Sequence, residues 1–308
     1  MRKIGGVFIV VAVCATQLFA WGQDGHRTVC RVAYDSLTPA EQQEIDRLVK
    51  AYTIPPGSTL KINGYPDACV FPDEARANAR TAEKEHQTDS PWLHFSPFND
   101  WHFLNVARDV KTIPESACND KDGKSDCVFT GIATHSAMLK NGKTDQERAE
   151  GLIFLGHWVG DVHQPLHVSY EDDEGGNKIQ PITGKYFPIP KKFPLNLHSV
   201  WDTSIIVKAL PATGWQPFAD SLKKKITDEQ KTKWLASKVP LEWAQESYDV
   251  TTQPGVLYCR EKSDSCISFG SGRVIGSKYE KKFLPVVDER LQAAGTRLAA
   301  LIHENLQQ

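Results

Sequence analysis

Two short stretches of the 308-residue sequence carry the side chains best suited to chemistry. In HWVGDVHQPLH, His157 is followed four positions on by Asp161, and His167 closes the run just past Pro165. The segment HSVWD repeats the arrangement with His198 and Asp202. On a helix, positions i and i+4 share a face, so each pair can aim an imidazole and a carboxylate at one point. Neutral imidazole and carboxylate oxygen together suit a divalent metal, zinc above all, held from a rigid element. One such pair is commonplace among surface and core histidines. Two pairs and a further histidine, all within 46 residues, point to a zinc-dependent hydrolase.

The elements that must position these residues are helices. Thr38, Pro39 and Glu41 spell a capped helix start, with the threonine as N-cap, proline in the first turn and glutamate closing a capping box. Thr144 and Glu147 repeat the device ahead of a run that carries His157 and Asp161 and stops short of Pro165. Asn196 is suited to cap a helix from Leu197, which would place His198 and Asp202 on one face. Thr227 with Gln230 marks another start, and Phe283, Val287, Leu291, Ala294, Leu298, Leu301 and Ile302 follow helical spacing near the end. Alternating strand patterns are scarce, the best being short runs around KIQPITGKYFPI, and a small β-hairpin is the most strand structure expected. The expected fold is mainly α, one compact domain over residues 21–308, with long loops near 106–130 and 171–196.

With a net charge of −2, 40% hydrophobic and 24% charged residues, the composition is that of a globular protein. The near-neutral balance argues against a binder that grips duplex phosphates through many Lys and Arg contacts, but not against an enzyme that meets phosphate through metal ions. Residues 1–20 read as an export leader: Arg2 and Lys3, an apolar run from Ile4 to Cys14, and Ala20 before the cut. Cleavage there would leave Trp21 as the new amino terminus. No later stretch approaches the ~18 apolar residues of a membrane span, so the expected product is exported, secreted or periplasmic, without an anchor. Cys14 leaves with the leader and six cysteines remain, which in an exported chain reads as disulfides. Cys118 with Cys127, and Cys259 with Cys266, are close pairs in polar stretches expected to be loops, which leaves Cys30 and Cys69 for each other.

WGQDGHRTVCRVA, FPDEAR, DWHFLN, HWVGDVHQPLH, GGN and NLHSVWD occur in that order along the chain. The ordered set resembles the zinc-dependent single-strand-specific nucleases of fungi, plants and bacteria, over essentially the whole chain after the leader. Those enzymes are similar in fold to zinc phospholipases C, and the resemblance implies a helical domain with three zinc ions at the bottom of a cleft. Carried over, one zinc would sit on Asp73, His102, His157 and Asp161, and a second on His167, His198 and Asp202. The third would use the amino and carbonyl groups of Trp21, with His26 and the far oxygen of Asp161. The resemblance further implies that Asp73 orients the attacking water and that Arg76, a helical turn later, clamps a phosphoryl oxygen. Phe103 would stack a base, while Asn105 and Asn177 would meet its edge. The implied substrates are single-stranded RNA and DNA, cut to 5′-phosphorylated products, and 3′-nucleotides; a monomer is the expected form.

The chain departs from the family pattern in three ways. TAEKEHQTDSPWLHFSPFND lengthens the interval between Asp73 and His102; it contains a competing His94–Phe95 pair; and Asn105 stands where an acid is frequent. WHFLN favours His102 over His94. His86, His135, His163 and His303 receive no role. A zinc phospholipase C is the alternative enzyme, disfavoured because His26 lies only five residues after Trp21 and because the last pair ends in aspartate.

Overall fold

The computed structural model describes residues 21–119, 126–179, 196–253, 255–256 and 275–307, and the backbone alone of 182–183, 260–262, 265–268 and 274. The expected leader, residues 1–20, lies outside the described residues. Helices dominate, as the capping signals imply. Thr38, Thr144 and Thr227 each close a capping box, opening Pro39–Ala51, Asp145–Val162 and Asp228–Leu235.

The Asp145–Val162 helix is the axis of the molecule. Every residue from Ala149 to Val162 is buried, so it has no solvent face after its first turn. A helix apolar nearly all round must be enclosed. Val128–Asn141, Gln23–Tyr34, Pro39–Ala51, Phe71–Lys84 and the C-terminal Ser277–Leu306 helix supply the enclosure. Gly151 and Gly156 permit the closest of these approaches. A Cβ on Gly151 would stand 2.4 Å from the Leu139 backbone, and one on Gly156 2.8 Å from Cys30 Sγ. The C-terminal helix runs unbroken through Pro285, and its buried Arg290 and Arg297 both pair with Glu246 at 2.7 Å.

The strand content differs in place from the sequence reading. Around KIQPITGKYFPI only Ile182–Thr183 is extended among the described residues, and it pairs in parallel with Val274–Ile275. The small antiparallel hairpin expected lies at Arg260–Lys262 and Ser265–Ser268. A further parallel pair, Leu104–Val106 with Val168–Tyr170, carries no alternation that the sequence could advertise, because three residues are too few for a period of two.

The Cys30–Cys69 and Cys118–Cys127 disulfides are formed as expected. The third expected bridge, between Cys259 and Cys266, is not among the disulfides of the described residues. Cys259 lies outside them, and only the backbone of Cys266 is described. The setting expected for Cys266 is corrected too. Rather than a polar loop, Cys266 occupies the Ser265–Ser268 strand, opposite Glu261. The reason is the hairpin register, which pairs Lys262 with Ser265 and so draws both flanks of the polar run CREKSDSC into extended backbone.

Candidate metal centre

Five segments converge on one end of the central helix. His157 and Asp161 project from that helix on successive turns. Asp73 lies in the first turn of Phe71–Lys84, and His26 lies on Gln23–Tyr34. A Cβ on Gly160 would come within 2.9 Å of His26 Nδ1, so only glycine lets the imidazole lie flat against the helix and stack on His157, ring centres 3.8 Å apart. His102 and His167 each end just before a strand of the parallel pair Leu104↔Val168, so that pairing holds the two histidines side by side. His167 Nδ1 donates to the His102 carbonyl at 2.7 Å.

Asn196 caps the next segment by accepting from Ser199 N at 2.8 Å. The backbone then widens into a π-helical turn over Val200–Ser204, a distortion that recurs at functional sites. His198 Nε2 and Asp202 Oδ2 stand 3.1 Å apart across it.

Backbone carbonyls select the histidine tautomers. A carbonyl can only accept, so the nitrogen facing it carries the proton and the other nitrogen is free to ligate. His157 Nδ1 donates to the Cys69 carbonyl at 2.8 Å, and His198 Nδ1 to that of Gly175 at 2.7 Å. With His167, three Nε2 atoms are thereby aimed inward.

The donor atoms form three groups: Asp73, His102 and His157; His26, His157 and Asp161; His167, His198 and Asp202. His157 Nε2 lies 3.1 Å from His102 Nδ1, and Asp161 Oδ2 lies 3.2 Å from both. Asp73 Oδ1 is 3.6 Å from His157 Nε2 and 3.7 Å from His102 Nδ1. Ligands at the ordinary zinc distances of about 2.0–2.1 Å stand roughly 3.3 Å from one another at tetrahedral corners. The four donors match that spacing. The other Asp161 oxygen, Oδ1, faces His26 Nε2 at 3.5 Å.

Both oxygens of Asp73 and Asp161, both ring nitrogens of His26, His102 Nε2 and His167 Nε2 are buried without a hydrogen-bond partner. Each such group costs about 1–3 kcal/mol if it stays unmet. A cation among them would satisfy several at once, so the residues fit a metal. The electrostatics agree. Burial, with Asp161 and Asp202 adding to it, raises Asp73 to about 7 despite the opposing pull of His157 and Arg76. Burial drives Asp161 well above the carboxylate range and His26 and His102 well below the imidazole range. Burial also lowers His157, which keeps its imidazole in the neutral, ligating form.

Above this cluster opens a cleft of about 230 Å³, walled by Arg76, Phe103, Asn105, Asn177, His167 and His198, with Arg80 and Glu174 among its other lining residues. The guanidinium of Arg76 lies 5.6 Å from the centre of the partly exposed Phe103 ring. Asn105 accepts from Ser169 Oγ at 3.4 Å, and Asn177 is held by Glu174 O and Asn196. Trp21 is fully buried, and the Gly22 N–H beside it donates to the Asp202 carbonyl at 2.7 Å. His94 stands apart, 2.9 Å from Glu150, and so does His163, which is bound to Val159 O and Arg297.

A model described as S1/P1 Nuclease matches residues 21–307. The chain belongs to the S1/P1 nuclease family. It is therefore a phosphodiester-cleaving enzyme, and the phospholipase alternative loses ground. Endonuclease 1 of Arabidopsis thaliana is 26% identical, with 97% of this chain and 90% of its own length aligned. Endonuclease 2 of the same plant is 28% identical over 94% of this chain and 91% of its own. Nuclease P1 of Penicillium citrinum is 36% identical, over 33% of this chain and 35% of its own.

Sequence reasoning missed the residues that orient the S1/P1 cluster. Gln164 donates to Asp202 Oδ1. Asp173, fully buried, accepts from Gly176 N at 2.8 Å and from Arg108 at 2.6 Å, which pins the turn whose Gly175 carbonyl orients His198. That turn needs glycine: Gly175 has φ +64°, and a Cβ there would strike the Leu166 carbonyl at 2.6 Å. The GGN motif was the available signal.

Proposed function

We propose that this family member is an exported, zinc-dependent endonuclease that cleaves single-stranded RNA and DNA to 5′-phosphorylated products and releases phosphate from 3′-nucleotides. One observation carries the reading: an inward-facing set of partnerless carboxylate and imidazole atoms floors a cleft walled by Arg76 and Phe103. Three zinc ions would be held by Asp73, His102, His157 and Asp161; by His167, His198 and Asp202; and by His26, Asp161 and the amino terminus at Trp21. When bound, zinc supplies Lewis acidity toward phosphoryl oxygens, toward the departing 3′ oxygen and toward water.

The chain's own residues do the rest. Asp73 accepts a hydrogen bond from the attacking water and orients it. Arg76, whose buried Nε has no partner, donates to a phosphoryl oxygen. Phe103 offers a face to an unstacked base, which a single strand can splay outward and a duplex cannot. Asn177 and Asn105 meet the base edge. Cleavage of the leader after Ala20 would free the Trp21 amine, whose ordinary pKa near 7.7–8.0 lets it bind metal far more readily than a lysine. The Cys30–Cys69 and Cys118–Cys127 disulfides suit an oxidising compartment. Among the described residues no helix is long and apolar enough to cross a membrane.

The test is a substrate panel with zinc-loaded mature protein: single-stranded DNA and RNA, duplex DNA, 3′-AMP and phosphatidylcholine. Single strands and 3′-AMP are expected to be cleaved, with 5′-phosphates on the oligonucleotide products. Intact single strands alongside cleaved phosphatidylcholine would overturn the reading.

A further inference from the structure

We infer that Arg80 forms a second phosphate subsite, which engages a phosphate next to the scissile one and makes the enzyme prefer a polynucleotide to a mononucleotide. The inference rests on the reading of Arg76 as the residue that meets the scissile phosphate. Arg76 and Arg80 lie one turn apart on the Phe71–Lys84 helix, so their Cβ atoms stand about 5–6 Å apart on one face. Both line the same cleft, together with His167, His198 and Phe103. Successive phosphates of a strand are separated by one sugar and its flanking bonds, a span of comparable size.

The two arginines are held differently. Arg76 is sunk toward the metal cluster, whereas the Arg80 side chain is 49% exposed at the mouth. Arg80 reaches Asp100 at 3.6 Å and the Asn99 carbonyl at 3.5 Å, both long and solvent-facing. An exposed, salt-screened ion pair of that kind contributes little, so a phosphate can displace it. Like charges on successive helical turns repel. Arg80 accordingly contributes, after burial, to lowering the Arg76 pKa. Glu174 also lines the cleft, but its carboxylate is engaged by Lys178 at 3.0 Å.

The experiment compares zinc-loaded wild-type protein with Arg80→Gln on 3′-AMP and on a thymidine pentanucleotide. Binding of a phosphorothioate pentanucleotide is read by fluorescence anisotropy across a salt series. The substitution should raise KM for the pentanucleotide roughly tenfold, the worth of one charge-assisted contact, with kcat unchanged. The slope of log Kd against log salt should fall by about 0.7, one single-strand phosphate contact. Hydrolysis of 3′-AMP should be unchanged. Arg80→Lys should recover most of the loss, because a point charge suffices at an exposed phosphate. Equal losses on both substrates, or an unaltered salt slope, would overturn the subsite while the nuclease reading stood. Failure of the wild-type protein to cleave either substrate would overturn both.

Discussion

Asp161 turns its two oxygens toward different neighbours, Oδ2 toward His102 and His157 and Oδ1 toward His26 and the Nδ1 edge of His167. The Asp202 carboxylate, among the described residues, faces His167 and His198, besides its hydrogen bond from Gln164. The two aspartates occupy the same place in His-x-x-x-Asp, yet their replacement should differ. Asp161→Asn should lose more than one zinc equivalent and Asp202→Asn about one, as elemental analysis of the purified variants would report. Equal losses of one each would dismiss the bridging role. These pairs were legible in the sequence because four residues on a helix is a short, fixed distance. Asp73 and His102 were not legible that way. They reach His157 across 84 and 55 residues of chain, where no periodicity applies, and only the motif order pointed to them. Gln164 and Asp173 were invisible for another reason: a residue that orients a ligand from behind, as Gln164 does through its side-chain amide and Asp173 through the Gly175–Gly176 backbone, has no characteristic type or spacing.

At the scale of elements, the helices were readable from caps and spacing, and the short strands were not. The strand at Cys266 hides in a polar, charged run that carries no strand pattern. The parallel pair Leu104–Val106 and Val168–Tyr170 matters most, since it aligns His102 with His167. Three residues in parallel register depend on the tertiary fold, which local pattern cannot encode. The turn after it is held by Asp173 and Arg108. Asp173→Asn should weaken zinc at His167, His198 and Asp202 by about 10–100-fold, the usual cost of an altered supporting shell. Chelator competition would measure it, and unchanged affinity would reduce Asp173 to a loop contact. The C-terminal helix carries a different kind of exception. Asp288 buries an oxygen without a partner, and burial raises its pKa to about 6, only partly offset by Lys225. A carboxyl raised on folding costs stability as pH climbs past its unfolded value near 3.8, and the cost is complete above the folded value. Asp288→Asn should therefore raise Tm by roughly 2–4 °C above pH 6, about 1 kcal/mol once solvent screening is allowed for. Below pH 3.8 the gain should vanish. A gain independent of pH would mean that the asparagine makes a new contact instead.

The whole molecule is an enclosed helix whose buried end is polar. From Ala149 to Val162 the central helix meets no solvent, yet it presents His157 and Asp161 to a cluster in which most donors lack hydrogen-bond partners. Folding around such atoms is costly unless a cation meets them, so metal, stability and activity should rise together. Zinc added stepwise to chelated, mature protein, with single-strand cleavage and bound metal followed in parallel, tests this most directly. The account predicts no cleavage in the chelated protein and full cleavage as three equivalents bind, with Asp161→Asn unable to follow. Full cleavage by metal-free protein, or three bound zinc ions without cleavage, would contradict it.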